Sequence, residues 1–391
     1  MGNVVTQVQE AAAGQQPQWP DPSQVRRVRS ILAARPPLVR AEDVLALRTL
    51  LARVAHGEAH IIQSGDCAED PEECTTEHVW RKSAVLDLLA ATLKMTVHTP
   101  VLRVGRIAGQ FAKPRSKPTE QVDGLELPVY RGHMVNEPAA DPESRRPDPL
   151  RILTGYMAAG DIVEQLGWRR SPAPHPEIEP RVWTSHEALL LDYELPMLRE
   201  TVDGRHWLAS THWPWIGERT RQLDGAHVAM LSGVINPVAC KVGPGMTQEE
   251  VVELCERLDP GREPGRLTLI ARMGADTVAD RLPSLVEAVR AAGHPVIWLC
   301  DPMHSNTVSA PSGHKTRLVE TVEREVRHFR QAVAKAGGVA GGLHLETTPH
   351  AVTECVGEAA ELDAVGERYT SFCDPRLTPE QAARVVAAWG E

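Results

Sequence analysis

The sequence predicts a (β/α)8 TIM barrel with an N-terminal helical extension. Two observations carry that reading. Short apolar runs alternate with helix-like stretches through most of the chain, and this alternation builds a parallel sheet. Each apolar run also ends in polar or reactive residues, as strands do in barrels whose active sites are assembled at one face. An open doubly wound sheet is the competing architecture. Eight strand–helix units favour closure.

The eight runs are read in order. Ala59–Gln63 leads into Gly65-Asp66-Cys67, and Pro100–Val104 into Gly105-Arg106. Arg181–Trp183, the weakest run, leads into Thr184-Ser185-His186-Glu187, and Trp207–Ser210 into Thr211-His212-Trp213. Pro237–Cys240 leads into Lys241, and Leu267–Ala271 into Arg272. Pro295–Cys300 leads into Asp301-Pro302-Met303-His304, and Gly342–Leu345 into Glu346. Helical patterns lie at Glu77–Leu93, Arg151–Leu166, Leu189–Glu200, Thr247–Leu258, Val278–Ala292, Lys315–Ala334 and Pro379–Trp389. Two more, Ser23–Ala34 and Ala41–Ala55, flank the Arg35-Pro36-Pro37 break. The expected division is an arm and helical extension over 1–55 and a catalytic barrel over 56–391. Residues 1–20 read as an arm or frayed terminus. The Pro- and charge-rich stretch 113–148 reads as a long loop or insertion.

Composition narrows the function. The 391 residues are 42% hydrophobic and 24% charged, with a net charge of −10. That balance argues against broad binding to nucleic acid or anionic membranes. No apolar run approaches the roughly 18 residues of a membrane span. The N-terminus has no basic segment followed by an apolar one. The seven cysteines are scattered and form no CxxC pair. A reduced, cytoplasmic protein is expected.

Reactive residues recur at or after strand ends. Cys67, His304, Glu346 and Asp374 offer a thiolate, an imidazole and two carboxylates, a set suited to a borderline divalent ion. Arg106, Lys113, Arg115, Arg219, Lys241 and Arg272 supply cations, and planar guanidinium forks match phosphate and carboxylate. Taken singly, each has a bland alternative: a buried small cysteine, a satisfied histidine, a solvated ion pair. Several cations ending apolar strands are harder to read that way and point to a phosphorylated or dianionic substrate. Neither Gly105–Gly109 nor Lys241–Gly245 forms a P-loop or dinucleotide fingerprint. Ser185-His186-Glu187 is too local to act as a triad, because neighbours on an extended segment face opposite ways.

Longer segments carry a resemblance. They are Gln63-Ser-Gly-Asp-Cys-Ala-Glu69, Val104-Gly-Arg-Ile-Ala-Gly-Gln110, Ala112-Lys-Pro-Arg-Ser116, Trp215-Ile-Gly-Glu-Arg-Thr-Arg221 and Lys241-Val-Gly-Pro244. Cys300-Asp-Pro-Met-His304, Lys315-Thr-Arg317 and Cys373-Asp-Pro-Arg-Leu377 continue the series. Together they resemble class II 3-deoxy-D-arabino-heptulosonate 7-phosphate (DAHP) synthases. The resemblance implies a transferase that condenses phosphoenolpyruvate with erythrose 4-phosphate and releases phosphate, the entry to the shikimate pathway. It implies Cys67, His304, Glu346 and Asp374 as ligands of Mn²⁺ or Co²⁺. It places Arg106, Glu218, Arg219, Lys241 and Arg272 at the phosphoenolpyruvate site, with Lys241, Glu218 and Arg106 in the chemistry. Lys113, Arg115 and Ser116 would hold the aldose phosphate. A homodimer is expected.

Three departures refine that resemblance. Few residues separate the Arg151–Leu166 pattern from Thr184, where long members of the family carry extra regulatory helices. The chain therefore resembles the short, secondary-metabolism (phenazine-type) forms, and inhibition by aromatic amino acids is expected to be weak or absent. His133 stands where long forms have Asp, and Ser64 where Gly is usual. These leave an imino-sugar phosphate, as in aminoDAHP synthesis, as the alternative substrate. A non-catalytic regulatory paralogue is the remote alternative.

Overall fold

The computed structural model describes residues 4–122, 124–169 and 180–391. Its central feature is a closed barrel of eight parallel strands surrounded by helices. We number the strands in chain order: β1 His60–Gly65, β2 Val101–Arg106, β3 Trp183–Glu187, β4 Trp213–Ile216, β5 Val238–Val242, β6 Leu267–Ala271, β7 Ile297–Cys300 and β8 Val339–Glu346. They follow one another around the ring in sequence order, with β8 beside β1.

The chain resolves into two compact units. One comprises Ala46–Cys67, Trp80–Arg106 and Pro237–Glu391. It contains β1, β2 and β5 to β8. β5 and β6 are buried at every position, as expected for parallel strands covered on both faces. Two helices of this unit start where their chemistry dictates. Thr247 and Glu250 form a reciprocal capping box for Gln248–Leu258, and Thr378 and Gln381 form another for Pro379–Ala387. Each box satisfies amide donors that a helix start leaves orphaned.

The other unit comprises Met1–Leu45, Ala68–Val79 and Ile107–Asn236. It contains β3 and β4, with the helices Pro22–Ala33 and Arg151–Gln165. Its residues 4–10 are not frayed. Val4–Glu10 is a helix that packs on the helix Ala226–Ser232. The approach is close at Gly233, where an added Cβ would lie 2.4 Å from Val4 Cγ2.

Four element assignments need correction. The third strand starts at Trp183 and runs through Glu187, so its polar tail is the strand itself. The fourth barrel strand is Trp213–Ile216, whereas Trp207 belongs to an antiparallel ribbon of Leu198–Glu200 with His206–Leu208. Pro214 disguised the true strand, because a proline argues against a central position. The ribbon had a readable signal in Asp203-Gly204, a favoured turn pair, with Gly204 at φ +78°. The helix expected over 189–200 stops after Leu191–Glu194 and one 3-10 turn containing Pro196. The helix expected from Lys315 starts at Val319; Lys315–Thr316 pairs instead with Val308–Ser309.

Candidate active site

The first unit builds a charged cluster on the last residues of its strands. His344 and Glu346 are two apart on β8 and so share a face. Register places Glu346 opposite Gly65, and Gly65 opposite Arg106. A side chain at position 65 would put its Cβ 2.6 Å from the Arg106 carbonyl oxygen, and Gly65 also holds φ +153°. Arg106 Nη2 donates to Glu346 Oε1 at 2.9 Å, and its Nη1 lies 2.8 Å from His344 Nε2. A guanidinium only donates, so Nε2 accepts and the proton sits on Nδ1. Nδ1 is 2.6 Å from Gln63 Oε1. Burial, then Lys241 and Arg106, holds the His344 imidazole well below its usual range.

Glu346 Oε2 faces a second guanidinium, Arg317 Nη2, at 2.9 Å, with both side chains inaccessible to solvent. Arg317 also donates to the Pro375 carbonyl and to Thr307 Oγ1. Starting the helix at Val319 is what frees Arg317 to reach inward.

Cys67, Glu346 and Asp374 each bring a ligand atom within 4.8 Å of the others. The Asp374 amide donates to Cys67 Sγ at 3.3 Å, and Asp374 Oδ1 meets Lys315 Nζ at 2.9 Å. His304 Nε2 is 3.6 Å from Glu346 Oε1. Its Nδ1 is 2.8 Å from Asp301 Oδ2, an arrangement that orients an imidazole and presents Nε2. One thiol, one imidazole and two carboxylates fit a borderline divalent cation.

Asp301 also meets Lys241 Nζ at 2.9 Å. Burial opposes its ionisation, but His304 and Lys241 overcome that and hold it well below the carboxylate range. Burial pulls the Lys241 ammonium below the usual lysine range, against the opposing pull of Asp301. Arg272 follows β6, half-buried, and no hydrogen bond or ion pair of its guanidinium occurs among the described residues. The loop after it is held by Glu325, whose Oε1 accepts the Met273 and Gly274 amides at 3.2 and 2.8 Å.

A second buried network was missed in the sequence. Asp66 Oδ2 meets Lys82 at 2.7 Å, Asp66 Oδ1 meets Arg376 at 2.7 Å, and Arg376 meets Glu354 at 2.8 Å. Asp66 precedes Cys67, and Arg376 follows Asp374 by two positions, so the network ties the loops of both candidate ligands. The available signal was charge placed next to candidate ligands, as in Gly-Asp-Cys and Asp-Pro-Arg. Ser64 sits beside it with its Oγ 2.7 Å from Thr347 Oγ1.

The second unit carries the remaining candidates. Glu69 accepts the amides of Ala108, Gly109 and Gln110 at 2.7–3.0 Å, which fixes the turn before Lys113. Lys113 is buried, and its amide donates to the Arg131 carbonyl at 2.8 Å. Arg115 meets Glu120 at 2.9 Å. Ser116 Oγ accepts from Arg219 Nη2 at 2.6 Å, so those two candidates are brought together. Glu218 is engaged by Arg221 at 2.9 Å. Arg131 is half-buried beside Arg115, and burial, then that like charge, lowers its pKa. Among the described residues it has no carboxylate partner. His133 Nδ1 lies 2.7 Å from the Tyr130 hydroxyl, in a buried setting that depresses its pKa.

Comparison with known proteins gives consistent matches. The model of the Class-II DAHP synthetase family matches residues 4–171 and 163–388. A probable phospho-2-dehydro-3-deoxyheptonate aldolase of Pseudomonas fluorescens is 59% identical over 389 residues, covering 100% of this chain and 97% of that protein. The phospho-2-dehydro-3-deoxyheptonate aldolase of Streptomyces coelicolor is 42% identical, covering 95% and 93%. The structure of an aldolase of the same name from Francisella tularensis superposes with a TM-score of 0.56 at 14% identity, over 92% of this chain and 96% of that one. That likeness speaks to the fold alone.

Proposed function

The chain belongs to the Class-II DAHP synthase family, and from that premise we propose that it condenses phosphoenolpyruvate with erythrose 4-phosphate and water to give DAHP and phosphate. The observation that carries this reading is the donor set of Cys67, Glu346 and Asp374 with His304 beside it. In this reading residues 56–391 are the catalytic barrel and residues 1–55 its extension. The names carried by the relatives do not favour the imino-sugar alternative.

Cys67, His304, Glu346 and Asp374 would hold the metal, Mn²⁺ or Co²⁺. A divalent ion bound there supplies Lewis acidity toward the aldehyde oxygen. Lys241 and Arg272, with Arg106, Glu218 and Arg219, would serve phosphoenolpyruvate. Asp301 fixes Lys241 Nζ, so the ammonium is aimed before an anion arrives and loses little freedom on binding. The Arg272 guanidinium offers its fork to an anion. Lys113, Arg115 and Ser116 would take the aldose phosphate.

The test is direct. The ultraviolet absorbance of phosphoenolpyruvate falls when erythrose 4-phosphate is added, stops falling with chelator, and resumes with Mn²⁺ or Co²⁺. No consumption under those conditions sinks the reading.

We further place the chain among short, secondary-metabolism forms. The Streptomyces alignment spans 419 positions against 391 residues here, so at least 28 of its positions have no counterpart in this chain. The Pseudomonas alignment needs only 389. The interval before Trp183, where regulatory helices were expected to be missing, falls partly on residues 170–179, outside the described residues. Phenylalanine, tyrosine and tryptophan are expected to leave the steady-state rate unchanged. Inhibition by any of them would remove this assignment. The chain is also expected to act as a homodimer in the cytoplasm; among the described residues no helix is long and apolar enough to cross a membrane.

A further inference from the structure

The segment that looked least functional in the sequence is bound to the loops expected to hold phosphate. Residues 11–20 are fastened at three points within their unit. The Ala226 amide donates to the Ala12 carbonyl at 2.9 Å, and Ala12 bridges to Gly225. Gln16 Nε2 donates to the Leu189 carbonyl at 2.9 Å, and its Oε1 accepts the Leu191 amide at 3.0 Å. Trp19 Nε1 donates to Asp192 at 2.7 Å.

Gln15 lies between these fastenings, and both its oxygens serve the cationic loops. Its Oε1 accepts the Arg115 amide at 2.8 Å, and its carbonyl faces Arg131 Nη1 at 3.4 Å. Gln15 does this at φ +63°, a left-handed conformation that a residue with a side chain rarely adopts. Such strain persists only where the surroundings over-determine it, and it collects at functional sites. The Arg115 loop in turn meets Arg219 through Ser116. An N-terminal strap thus bears directly on one of the loops and stands at the root of the helix that follows the other.

We propose that residues 11–20 are a working part of the aldose-phosphate subsite, with Gln15 as its positioning residue. This rests on the DAHP synthase reading and deepens it. Gln15 sets the Arg115 backbone and steadies Arg131, a cation that no carboxylate neutralises among the described residues. An anionic phosphate then meets guanidinium groups already in place. The amide of Gln15 is neutral, so it accepts from the loop without competing with the phosphate for charge. A carboxylate there would keep the acceptor and add repulsion.

Two variants separate positioning from simple stability. Gln15→Met keeps the volume and removes the side-chain acceptor. It is expected to raise KM for erythrose 4-phosphate about fivefold, the worth of one hydrogen bond. KM for phosphoenolpyruvate should stay at the wild-type value. Gln15→Glu keeps the acceptor and should hold the wild-type melting temperature. It should raise the same KM, in a manner that weakens with added salt. Wild-type KM values in both variants would overturn the proposal, as would parallel loss of both KM values with melting temperature. If the wild type consumes no phosphoenolpyruvate, the enzymatic reading fails by itself. Calorimetry with inorganic phosphate then decides Gln15: unchanged affinity in both variants rejects its role, and weaker affinity in both sustains it.

Discussion

Around Glu346, buried charge is answered by buried charge; around Arg131 and Arg219, cations outnumber the acids that meet them among the described residues. Glu346 sits between Arg106 and Arg317. Asp301 holds Lys241 and His304, and Arg376 holds Asp66 and Glu354. In the other unit Glu120 serves both Arg115 and Arg145, while Arg131 and Arg219 have no carboxylate partner among the described residues. Under the proposed function, the difference follows from what each region would receive. A donor set for a metal must be held rigidly, and charges withdrawn from water need partners to exist there at all. A site for a phosphate has to leave positive charge unanswered, because the substrate is the partner.

The comparison is broken most readily at Glu346. Glu346→Gln removes the negative charge between two guanidinium groups that are fully buried. Stranding buried charge costs about 3–5 kcal/mol, so denaturant unfolding should show a loss of that order. Mn²⁺ binding, measured by calorimetry, should fall with it. Wild-type stability in this variant would mean that the cluster is not the rigid region described. Arg376→Met tests the outer network in the same way. It leaves Asp66 with Lys82 and Glu354 without its guanidinium. The expected loss is about 3 kcal/mol, the lower end of the same range. Metal affinity should drop about tenfold, as for outer-shell partners elsewhere.

Arg219→Ala sharpens the opposite side. Its guanidinium is exposed and bonded to a serine hydroxyl. Removing it should change unfolding free energy by no more than about 0.5 kcal/mol, as is usual at surfaces. Binding should suffer instead. A hydrogen bond to a charged group is worth about 1.5–3 kcal/mol, so KM for the substrate whose phosphate it meets should rise roughly ten- to hundredfold. A variant that loses stability and keeps its KM values would place Arg219 with the structural charges.

These two regions were not equally legible in the sequence. The barrel was visible because strand–helix alternation is a local signal, and six of the eight runs needed only small boundary changes. The third was misplaced because its strand, Trp183–Glu187, is made mostly of polar residues, and the fourth because local signals conflict. Pro214 sits inside a barrel strand, and the Asp203-Gly204 turn makes a ribbon next to it. Cys67, Glu346 and Asp374 could be named because their residue types suit a metal, but their partners could not. Arg317, Asp301 and Arg376 are ordinary charges until the fold buries them. Gln15 was invisible for a stronger reason: its role depends on a backbone amide a hundred positions away, and amides carry no sequence signature.

The smallest expected effect concerns a buried base in the unit that carries the loose cations. His212 packs against Trp168 and Trp183 with ring centroids 4.3 and 5.1 Å away. Its Nδ1 lies 3.2 Å from the Thr184 amide, which donates to it. Burial, then Arg181 and Arg40, lowers its pKa from 6.5 to about 3. A folded pKa below the unfolded one means that the unfolded chain binds the proton more readily. The histidine therefore contributes stability that is fully present above pH 6.5 and is lost as pH falls toward 3. One pH unit below 6.5 the loss is on the order of 1 kcal/mol. Glu325 has the opposite sign, because burial raises its pKa from 4.5 to about 8. Its contribution is complete below pH 4.5 and is lost as pH rises toward 8. His212→Gln, which keeps an acceptor for the Thr184 amide, should flatten the acidic limb of the unfolding profile and leave the limb above neutrality sloping. Glu325→Gln should do the reverse. If both variants flatten the same limb, the two regions do not titrate independently and the contrast between them fails at its electrostatic root.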